Sequence, residues 1–417
     1  MTDDPDSLEG GTEADLFGLP QRDESSARDP LEEVASLYLD KLRQGDTIDL
    51  DEFVNGYPKI ADDLKDFLSL VGAMEDWKAE KELEVVKTPM PDEFDIQQLG
   101  DCKILREIAR GGMGVIFEAE QQPIGRRVAV KLLPWKFGTD SKWSKQFHRE
   151  ARIAARLQHP NIVPVYNFGE QDGRFFYVMP LIEGVGFDHL ITRLKTGEPA
   201  VDIEDLITEV RGAGFGTTTP FQTEITTQTR LFRRNNWSQI VKLATQVAGA
   251  MRYAHRQGTL HRDIKPANLL IDRSGKGWIA DFGLALGRER AMSQQRGPMA
   301  GTLRYMAPEQ FEGVVNEQTD LYSFGATLFE LCTLQPAFDG KSRTELAAHV
   351  QRAKVVAPRS INPEIPNELE AVILKLMERN PEKRYQSSED LYHDLIQLLR
   401  NWSNNSRGAW SRFKDWF

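Results

Sequence analysis

The chain has 417 residues, of which 40% are hydrophobic and 28% are charged, and its formal net charge is −11. The length predicts more than one domain, and the composition is ordinary for a soluble globular protein. Cys102 and Cys332 lie far apart in the sequence, which excludes a disulfide framework or a cysteine metal site and indicates a reducing compartment.

The charge is unevenly distributed along the chain. Residues 1–86 contain 24 acidic and 8 basic residues, whereas the other 331 residues contain 39 acidic and 44 basic residues. This change of character favours a domain boundary near residue 87. An acidic segment is most often a solvated surface, and an acidic docking surface is the alternative.

The N-terminal region divides into a tail, a module and a linker. Residues 1–29 have few large apolar side chains and are predicted to be a disordered acidic tail, and their polar start lacks the parts of a signal peptide, so we expect a cytoplasmic protein. Residues 30–77 carry apolar residues at helical spacing in three runs, the second of which ends at Gly56, and this predicts a small helical module. Residues 78–98 are charged and contain two prolines, as a linker does.

From Cys102 onwards the sequence pattern changes. The segments that are interpreted as strands are CKILREIAR, GVIFEAEQ, RRVAVKLLP, NIVPVYNFGE and RFFYVMPLI. A helix is predicted over residues 141–158, and a mostly helical pattern follows Trp237. The apolar run at 321–334 is too short to span a bilayer and is interpreted as a buried helix. Strands followed by helices predict an α+β fold with a cleft between two lobes.

The strongest chemical signal is the stretch HRDIKPANLL at residues 261–270, followed by ADFG. Transfer of a phosphoryl group to a hydroxyl needs a carboxylate that orients the hydroxyl and accepts its proton, a cation that neutralises charge, and oxygen ligands for magnesium. The side chains that supply these groups within nineteen residues are Asp263, Lys265, Asn268 and Asp281. Their spacing predicts phosphoryl transfer rather than two unrelated polar loops.

On these motifs the sequence resembles the protein kinase family over roughly residues 100–400, in particular the eukaryotic-like serine/threonine kinases of bacteria. The resemblance implies a bilobal kinase fold with a β-rich small lobe and a helical large lobe. It implies that Asp263 is the catalytic base and that Lys265 contacts the phosphate. Asn268 completes the implied catalytic set, and it shares with Asp281 the role of metal ligand.

The same resemblance assigns the nucleotide side of the site. Lys131 in VAVK would grip the α- and β-phosphates and pair with Glu150 on the predicted helix. Met179 would line the back pocket, and the backbone of Pro180 and Ile182 would face the adenine. The full set of implied nucleotide-binding residues is Ala109, Gly111, Gly114, Ile116, Ala129, Lys131, Glu150, Met179, Pro180, Ile182 and Asp281.

The glycine-rich stretch REIARGGMGVIFEAE departs from the family pattern at its first glycine position. Ala109 stands there, whereas Gly111 and Gly114 remain. A lone glycine-rich match is weak, but the motifs around this one favour a working phosphate loop. Alanine adds a single methyl group and is unstrained if its φ is negative.

Further matches concern the large lobe. By resemblance, Glu309 in APE forms a buried ion pair with Arg384 in NPEKRY, and Asp320 braces the catalytic loop. Thr302 in GTLRYMAPE is implied to contact the catalytic base and Lys265. These segments look like the serine/threonine branch of the family rather than the tyrosine branch.

The sequence departs from the family pattern at two places, one inside the predicted kinase domain, residues 99–400, and one directly after it. An insertion covers about 195–236, and seven of the thirteen residues at 217–229 are threonine. We expect a flexible surface insertion, with a self-phosphorylated or substrate-docking loop as the alternative. Residues 401–417 form an aromatic and basic C-terminal tail that is expected to dock on the lobe, with contact to a membrane surface as the alternative.

The function expected from this resemblance is that of an ATP-dependent serine/threonine protein kinase in signal transduction. Its partners would be ATP and protein substrates, with Mg²⁺ as the metal and Mn²⁺ as the second choice, and no nucleic acid. We expect autophosphorylation, which would involve a homodimer. The alternative is a catalytically weak, nucleotide-binding pseudokinase scaffold that recruits partners through the helical module and the tails.

Overall fold

The computed structural model describes most of the chain from residue 96 and part of the N-terminal region. The chain divides into two compact units, Met1–Val85 and Val86–Phe417. The described residues are 34, 50–58, 61, 64, 96–111, 114–122, 124–136, 141–211, 231–282 and 300–414.

The first unit contains the helix α1, Leu50–Asn55. Phe53 and Val54 on this helix are buried, as are Val34 and Leu64. The Gly56 amide donates to the Phe53 carbonyl at 3.2 Å, so the helix ends where the sequence predicts. The predicted tail and most of the predicted linker lie outside the described residues.

A six-stranded antiparallel sheet forms the small lobe of the second unit, in the order β1-β2-β3-β4-β6-β5. Its strands are β1 Gln98–Leu99, β2 Cys102–Gly111, β3 Gly114–Gln121, β4 Arg126–Lys136, β5 Asn167–Gln171 and β6 Arg174–Pro180. Buried apolar side chains such as Val115, Val130 and Val178 stabilise the sheet. In this sheet Lys131 pairs with Ile116 on one side and with Tyr177 on the other.

One predicted strand is wrong over its first half. The segment NIVPVYNFGE is a strand only from Asn167 onwards. Its first residues bond elsewhere, because the Val163 amide donates to the Ile279 carbonyl at 2.9 Å and Ile279 donates to Asn161 at 2.8 Å. The first residues of the segment therefore bond to a hairpin of the large lobe, and only its last residues join the six-stranded sheet.

The helix predicted over 141–158 is present as α2, Ser141–Arg156. Phe147 and Ala151 on its inner face are fully buried, and the Phe147 ring stacks on Phe175 of β6 at 4.1 Å. This packing holds the helix against the sheet, so the backbone of Glu150, which lies on the helix, has a fixed position relative to the sheet.

A small sheet in the large lobe, in the order β11-β10-β7, contains the hairpin that separates the HRD motif from the ADFG motif in the sequence. Its strands are β7 Gly184–Gly186, β10 Leu269–Asp272 and β11 Gly277–Ile279. The hairpin of β10 and β11 places the residues before β10 beside those after β11, because its strands pair in antiparallel register.

The helices of the large lobe surround one buried core. Their bounds are α3 Phe187–Lys195, α4 Ile203–Arg211, α5 Trp237–Arg256, α6 Ala300–Leu303, α7 Glu317–Thr333, α8 Arg343–Arg352, α9 Pro358–Ile361, α10 Asn367–Leu376 and α11 Ser388–Lys414. Helix α7 is the predicted buried helix, and Asn316 caps its N-terminus by accepting from the Thr319 amide. Buried residues occupy all sides of α7, which explains its continuous apolar sequence.

The expectation of a flexible insertion at 195–236 is wrong for its described part. Strands β8, Ala200–Asp202, and β9, Leu231–Arg233, pair with each other, and α4 lies directly after β8. Val201, Ile207 and Phe232 are buried in the core of the large lobe. Apolar side chains thus fold the base of the insertion into the lobe, whereas the threonine-rich segment lies outside the described residues.

The C-terminal helix α11 continues through residue 400, where the sequence suggested that a separate tail begins. Trp402 packs on the large-lobe core. Over the described part of the chain, every helix falls short of the length or apolarity needed to cross a membrane.

Candidate active site

The catalytic loop brings three predicted residues into direct contact. Lys265 Nζ lies 2.8 Å from Asp263 Oδ2. Asn268, in a short 3₁₀ turn, donates from Nδ2 to the carbonyl of Asp263 at 2.7 Å and to its Oδ2 at 2.9 Å. The Asp263 carboxylate is therefore held by two side chains from the same loop.

Thr302 closes the site from the segment before APE. Lys265 Nζ donates to Thr302 Oγ1 at 3.2 Å. The implied contact between Thr302 and Lys265 is confirmed, and the implied contact between Thr302 and Asp263 stays a prediction.

Asp320 organises the backbone of the catalytic loop from below. Its carboxylate accepts from the amides of His261 and Arg262, both at 2.7 Å, and contacts His255 Nε2 at 2.9 Å. Burial opposes ionisation of Asp320, but the hydrogen bond from His255 and the backbone donors outweigh it and lower its pKa. Arg262 has a φ of +67°, a strained conformation that this network holds in place. The predicted bracing role is confirmed.

His261 connects the catalytic loop to the ADFG segment. Its Nδ1 accepts from the Asp263 amide at 3.2 Å, so the ring carries its proton on Nε2, which donates to the Ala280 carbonyl at 2.8 Å. The ring also packs edge-on against Phe282, with 4.7 Å between the ring centroids. These contacts fix the distance between the residues that flank the hairpin.

Asp281 follows β11 and faces Lys131 across the two lobes. Lys131 Nζ donates to Asp281 Oδ2 at 2.6 Å, and both side chains are largely buried. Burial raises the pKa of Asp281, but the charge of Lys131 and its hydrogen bond lower it by more, so the pKa is depressed. The ion pair seen for Lys131 is thus with Asp281, and the Lys131–Glu150 pair stays a prediction.

The glycine-rich stretch lies in the antiparallel pair of β2 and β3. Ala109 lies in the extended strand β2, so its methyl group introduces no backbone strain. Gly114 has a φ of +127°, and a Cβ there would lie 2.0 Å from the Leu132 carbonyl oxygen, so only glycine fits. At Gly111 a Cβ would meet no described atom within 4 Å, so the described residues give no steric reason for glycine at this position.

The remaining residues that were predicted to bind the nucleotide lie in β3, β4 and β6 or directly after β6. Ala129 pairs with Met179 across β4 and β6, and both side chains are buried. Pro180 ends β6, and two residues later the Ile182 carbonyl accepts from Gly184 at 2.9 Å, which turns the chain into β7. Ile116 lies opposite Ala109 in the hairpin.

The ion pair predicted between Glu309 and Arg384 is confirmed. Arg384 donates from Nη1 and Nη2 to the two carboxylate oxygens of Glu309, at 2.6 and 2.9 Å. Its side chain is fully buried and also donates to the carbonyls of Gln318, Glu378 and Arg379. The fork geometry of arginine suits such bidentate contacts.

Two further contacts near the site were not predicted from the sequence. His255 Nδ1 lies 3.0 Å from Ser388 Oγ, so the start of α11 joins the Asp320 network. Tyr305 donates to Glu330 Oε2 at 2.5 Å, which stabilises the segment after Thr302. Neither His255, which lies in a helical pattern, nor Tyr305, which lies within GTLRYMAPE, carries a sequence signal for these contacts.

The donor atoms near Asp263 suit a hard divalent cation. Asn268 uses its Nδ2 hydrogens on Asp263, which leaves its amide oxygen for a cation, and Asp281 supplies carboxylate oxygens. Oxygen ligands of this kind, completed by phosphates and water, are the set that Mg²⁺ takes. In the described parts of the chain, no cluster of three or more His, Cys, Asp or Glu side chains could hold a metal by itself.

Comparisons of the sequence identify one family. The protein kinase domain family matches residues 102–396. The serine/threonine-protein kinase PknH of Mycobacterium bovis is 34% identical over 293 residues, which cover 70% of this chain and 43% of PknH. PrkC of Bacillus subtilis is 30% identical over 297 residues, which cover 71% of this chain and 40% of PrkC. The chain thus matches less than half the length of these curated relatives.

Solved structures show the same fold. The crystal structure of the PknI kinase domain of Mycobacterium tuberculosis has a TM-score of 0.50 to this chain at 23% sequence identity. The match covers 72% of this chain and 97% of that domain. The likeness confirms the predicted bilobal fold.

Proposed function

Since the chain belongs to the protein kinase family, whose members use ATP and a divalent cation, we propose that it is an active serine/threonine protein kinase. It would transfer the γ-phosphate of ATP to serine and threonine hydroxyls of proteins. The contact of Lys265 with both Asp263 and Thr302 is the observation that carries this proposal. It unites a base, a cation and the acceptor-side loop in one site.

On the acceptor side, Asp263 would orient the substrate hydroxyl and accept its proton. Its carboxylate is fixed by Asn268 and Lys265, so it needs little reorganisation when the substrate binds. Lys265 would stabilise the charge that develops on the transferring group.

On the nucleotide side, Lys131 would exchange its contact with Asp281 for the α- and β-phosphates. Glu150 on α2 would then become its partner, as the family resemblance implies. This exchange would release the Asp281 carboxylate toward the cleft. A divalent cation held by Asn268 and Asp281 would neutralise charge on the phosphates, and we propose Mg²⁺ with Mn²⁺ as the alternative, because both accept octahedral oxygen ligands completed by phosphates and water.

A phosphate-transfer assay with a matched variant tests the proposal. Purified protein with Mg²⁺ and radiolabelled ATP should label serine and threonine peptides and leave tyrosine peptides unlabelled. Asp263→Asn should lower kcat by about 10²- to 10⁴-fold, because the amide cannot accept the proton, while ATP affinity and unfolding midpoint stay near wild type. Asp281→Asn should instead weaken metal-dependent nucleotide binding. An Asp263→Asn variant with near-normal activity would contradict the assignment.

A pseudokinase scaffold is the second candidate, and the substitution of Ala109 for the first loop glycine is the observation that favours it. Such a protein would bind nucleotide without turnover. Detectable ATP consumption that depends on Asp263 would exclude it.

Regulation and location belong to the same proposal. We propose a cytoplasmic enzyme that phosphorylates itself in a transient homodimer and acts on protein substrates. Labelling that rises with the square of enzyme concentration would support the homodimer, whereas first-order labelling would contradict it.

Contact of the C-terminal helix with a membrane is the remaining partner proposal, and co-sedimentation with anionic vesicles would test it.

A further inference from the structure

Arg273 joins three parts of the large lobe that no sequence motif connects. Its Nη1 lies 3.2 Å from Glu183 Oε2, and its Nε lies 3.1 Å from Glu204 Oε2. The contact with Glu204 has the distance of an ion pair without the angle of a hydrogen bond. The Arg273 side chain is only 19% exposed, so solvent screens these charges less than it would at the surface.

The turn that carries Arg273 is held by side-chain hydrogen bonds. It follows Asp272 in the turn between β10 and β11, the hairpin that leads from Asn268 to Asp281. Asp272 Oδ1 accepts from the Ser274 amide at 2.8 Å and its Oδ2 accepts from Trp278 Nε1 at 2.9 Å. Because Arg273 is fixed in this turn, its guanidinium can hold Glu183 and Glu204 at a set position relative to the hairpin.

One partner, Glu183, directly follows Ile182, whose backbone is the predicted adenine contact. The Arg273 amide donates to the Glu183 carbonyl at 3.2 Å, so the backbone and the side chain of Arg273 both hold this residue. Strand β7 then pairs with β10. Residues 181–183, here called the hinge, connect β6 to β7, and the exit of the hinge at Glu183 is thus bound to the β10–β11 hairpin at two points.

The other partner belongs to the insertion. Glu204 lies in the first turn of α4, and its amide donates to Asp202 Oδ1 at 2.8 Å, which caps the helix. Helix α4 packs beside β7 through buried residues such as Ile207. The inserted helix is therefore linked both to β7, by packing, and to the β10–β11 hairpin, through Arg273.

We propose that Arg273 is a positioning residue for the nucleotide, and that the inserted helix α4 is part of the support of the nucleotide site. Without the guanidinium, the partly buried carboxylates of Glu183 and Glu204 would lose the cation that both contact. Their repulsion would move the hinge exit, and with it the backbone groups of Ile182. This inference rests on the proposed kinase function, because it assigns the support to the ATP side of that site.

The test compares two arginines that each bridge two carboxylates. Arg273→Gln should weaken ATP binding, measured by calorimetry, by about fivefold, the size expected for one partly shielded ion pair. The KM for ATP should rise equally, while kcat and the KM for a peptide stay within twofold. Arg273→Lys should give a smaller loss, since an ammonium cannot fork between two carboxylates.

Arg193→Gln is the matched control. Arg193 also bridges two carboxylates of the insertion, Glu198 at 3.0 Å and Glu209 at 3.6 Å, but it lies on α3 and is 37% exposed. We expect the ATP affinity of this variant to equal that of wild type.

Glu204→Gln should weaken ATP binding less than Arg273→Gln does. In the double variant, the loss of binding free energy should be smaller than the sum of the two single losses.

The outcomes separate the inference from the function on which it rests. Wild-type affinity in both folded Arg273 variants would overturn the inference and leave the kinase function intact, as would equal losses in the Arg273 and Arg193 variants. A wild-type protein that binds no ATP would overturn the proposed function and the inference together. A lower unfolding midpoint with unchanged ATP affinity would show that Arg273 is merely structural and would overturn the inference.

Discussion

Single buried polar residues hold the reacting groups in place. Asp320 is the clearest case, because two amides of the catalytic loop and His255 all converge on its carboxylate. Arg262 keeps a left-handed conformation between those contacts. A charged hydrogen-bond acceptor inside the protein is stronger than one in water, so one carboxylate can stabilise a strained loop.

A pH series on Asp320→Asn tests this at the residue scale. The pKa of Asp320 is lower in the folded chain than its unfolded value of about 3.9. Its stabilising effect is therefore complete above that pH and is lost as the pH falls through the folded pKa. We expect Asp320→Asn to lower the free energy of unfolding by about 3 kcal/mol at neutral pH, and the difference from wild type to shrink below about pH 4.

Urea unfolding at several pH values provides this measurement. Asp205→Asn is the control, because Asp205 is exposed in the first turn of α4, and its effect should stay within about 0.5 kcal/mol. A difference between Asp320→Asn and wild type that grows as the pH falls would contradict the argument.

At the scale of elements, the insertion is the part that departs most from the sequence-based expectation. Polar and threonine-rich sequence suggested a flexible surface segment. Instead, β8, α4 and β9 bury Val201, Ile203 and Phe232 in the core of the large lobe. The element is held by apolar burial at its base and by Arg273 and Arg193 at its polar surface.

Phe232→Ala tests whether the insertion is part of the core. Phe232 is fully buried in β9, so its truncation should cost about 3–5 kcal/mol of unfolding free energy, through lost apolar burial and the cavity left behind. Chemical denaturation measures the change. Val210→Ala is the control on the same insertion, because Val210 is 37% exposed, and it should change stability by no more than about 0.5 kcal/mol. A Phe232→Ala effect as small as the control would show that the insertion folds independently of the lobe.

For the whole molecule, the two compact units differ in chemistry. Residues 1–86 carry a net charge of −16 and the remainder carries +5. The residues proposed for phosphate transfer all lie in the unit Val86–Phe417, which has its own buried cores. The first unit would therefore serve regulation or docking rather than chemistry.

Deletion of residues 1–86 tests this division. The truncated protein should retain measurable phosphorylation of peptides, because the deleted segment supplies no proposed catalytic group. Peptide phosphorylation is measured beside circular dichroism, and the truncated Asp263→Asn variant provides the background. Complete loss of activity in a truncation that remains folded would show that the N-terminal unit completes the catalytic one.

The sequence by itself determined the identity of the reacting groups and the order of the elements. Asp263, Lys265 and Asn268 are local in sequence, so their spacing already required one loop to hold them. The sequence identified Gly114 only as a remaining glycine of the loop, and the structure shows the Leu132 carbonyl that makes glycine obligatory there. The buried helix α7 followed from its apolar composition, because a helix that is apolar on all sides must lie in a core.

Only the tertiary structure decided the contacts between residues far apart in the chain. The pairing of Lys131 with Asp281 spans 150 positions, and the bridge from Arg273 to Glu204 depends on how the insertion folds. The strand at 161–170 is shorter than its composition suggested, because Val163 bonds to Ile279 in the other lobe. Local propensity is a weak preference that such long-range hydrogen bonds override, so sequence periodicity could not reveal them.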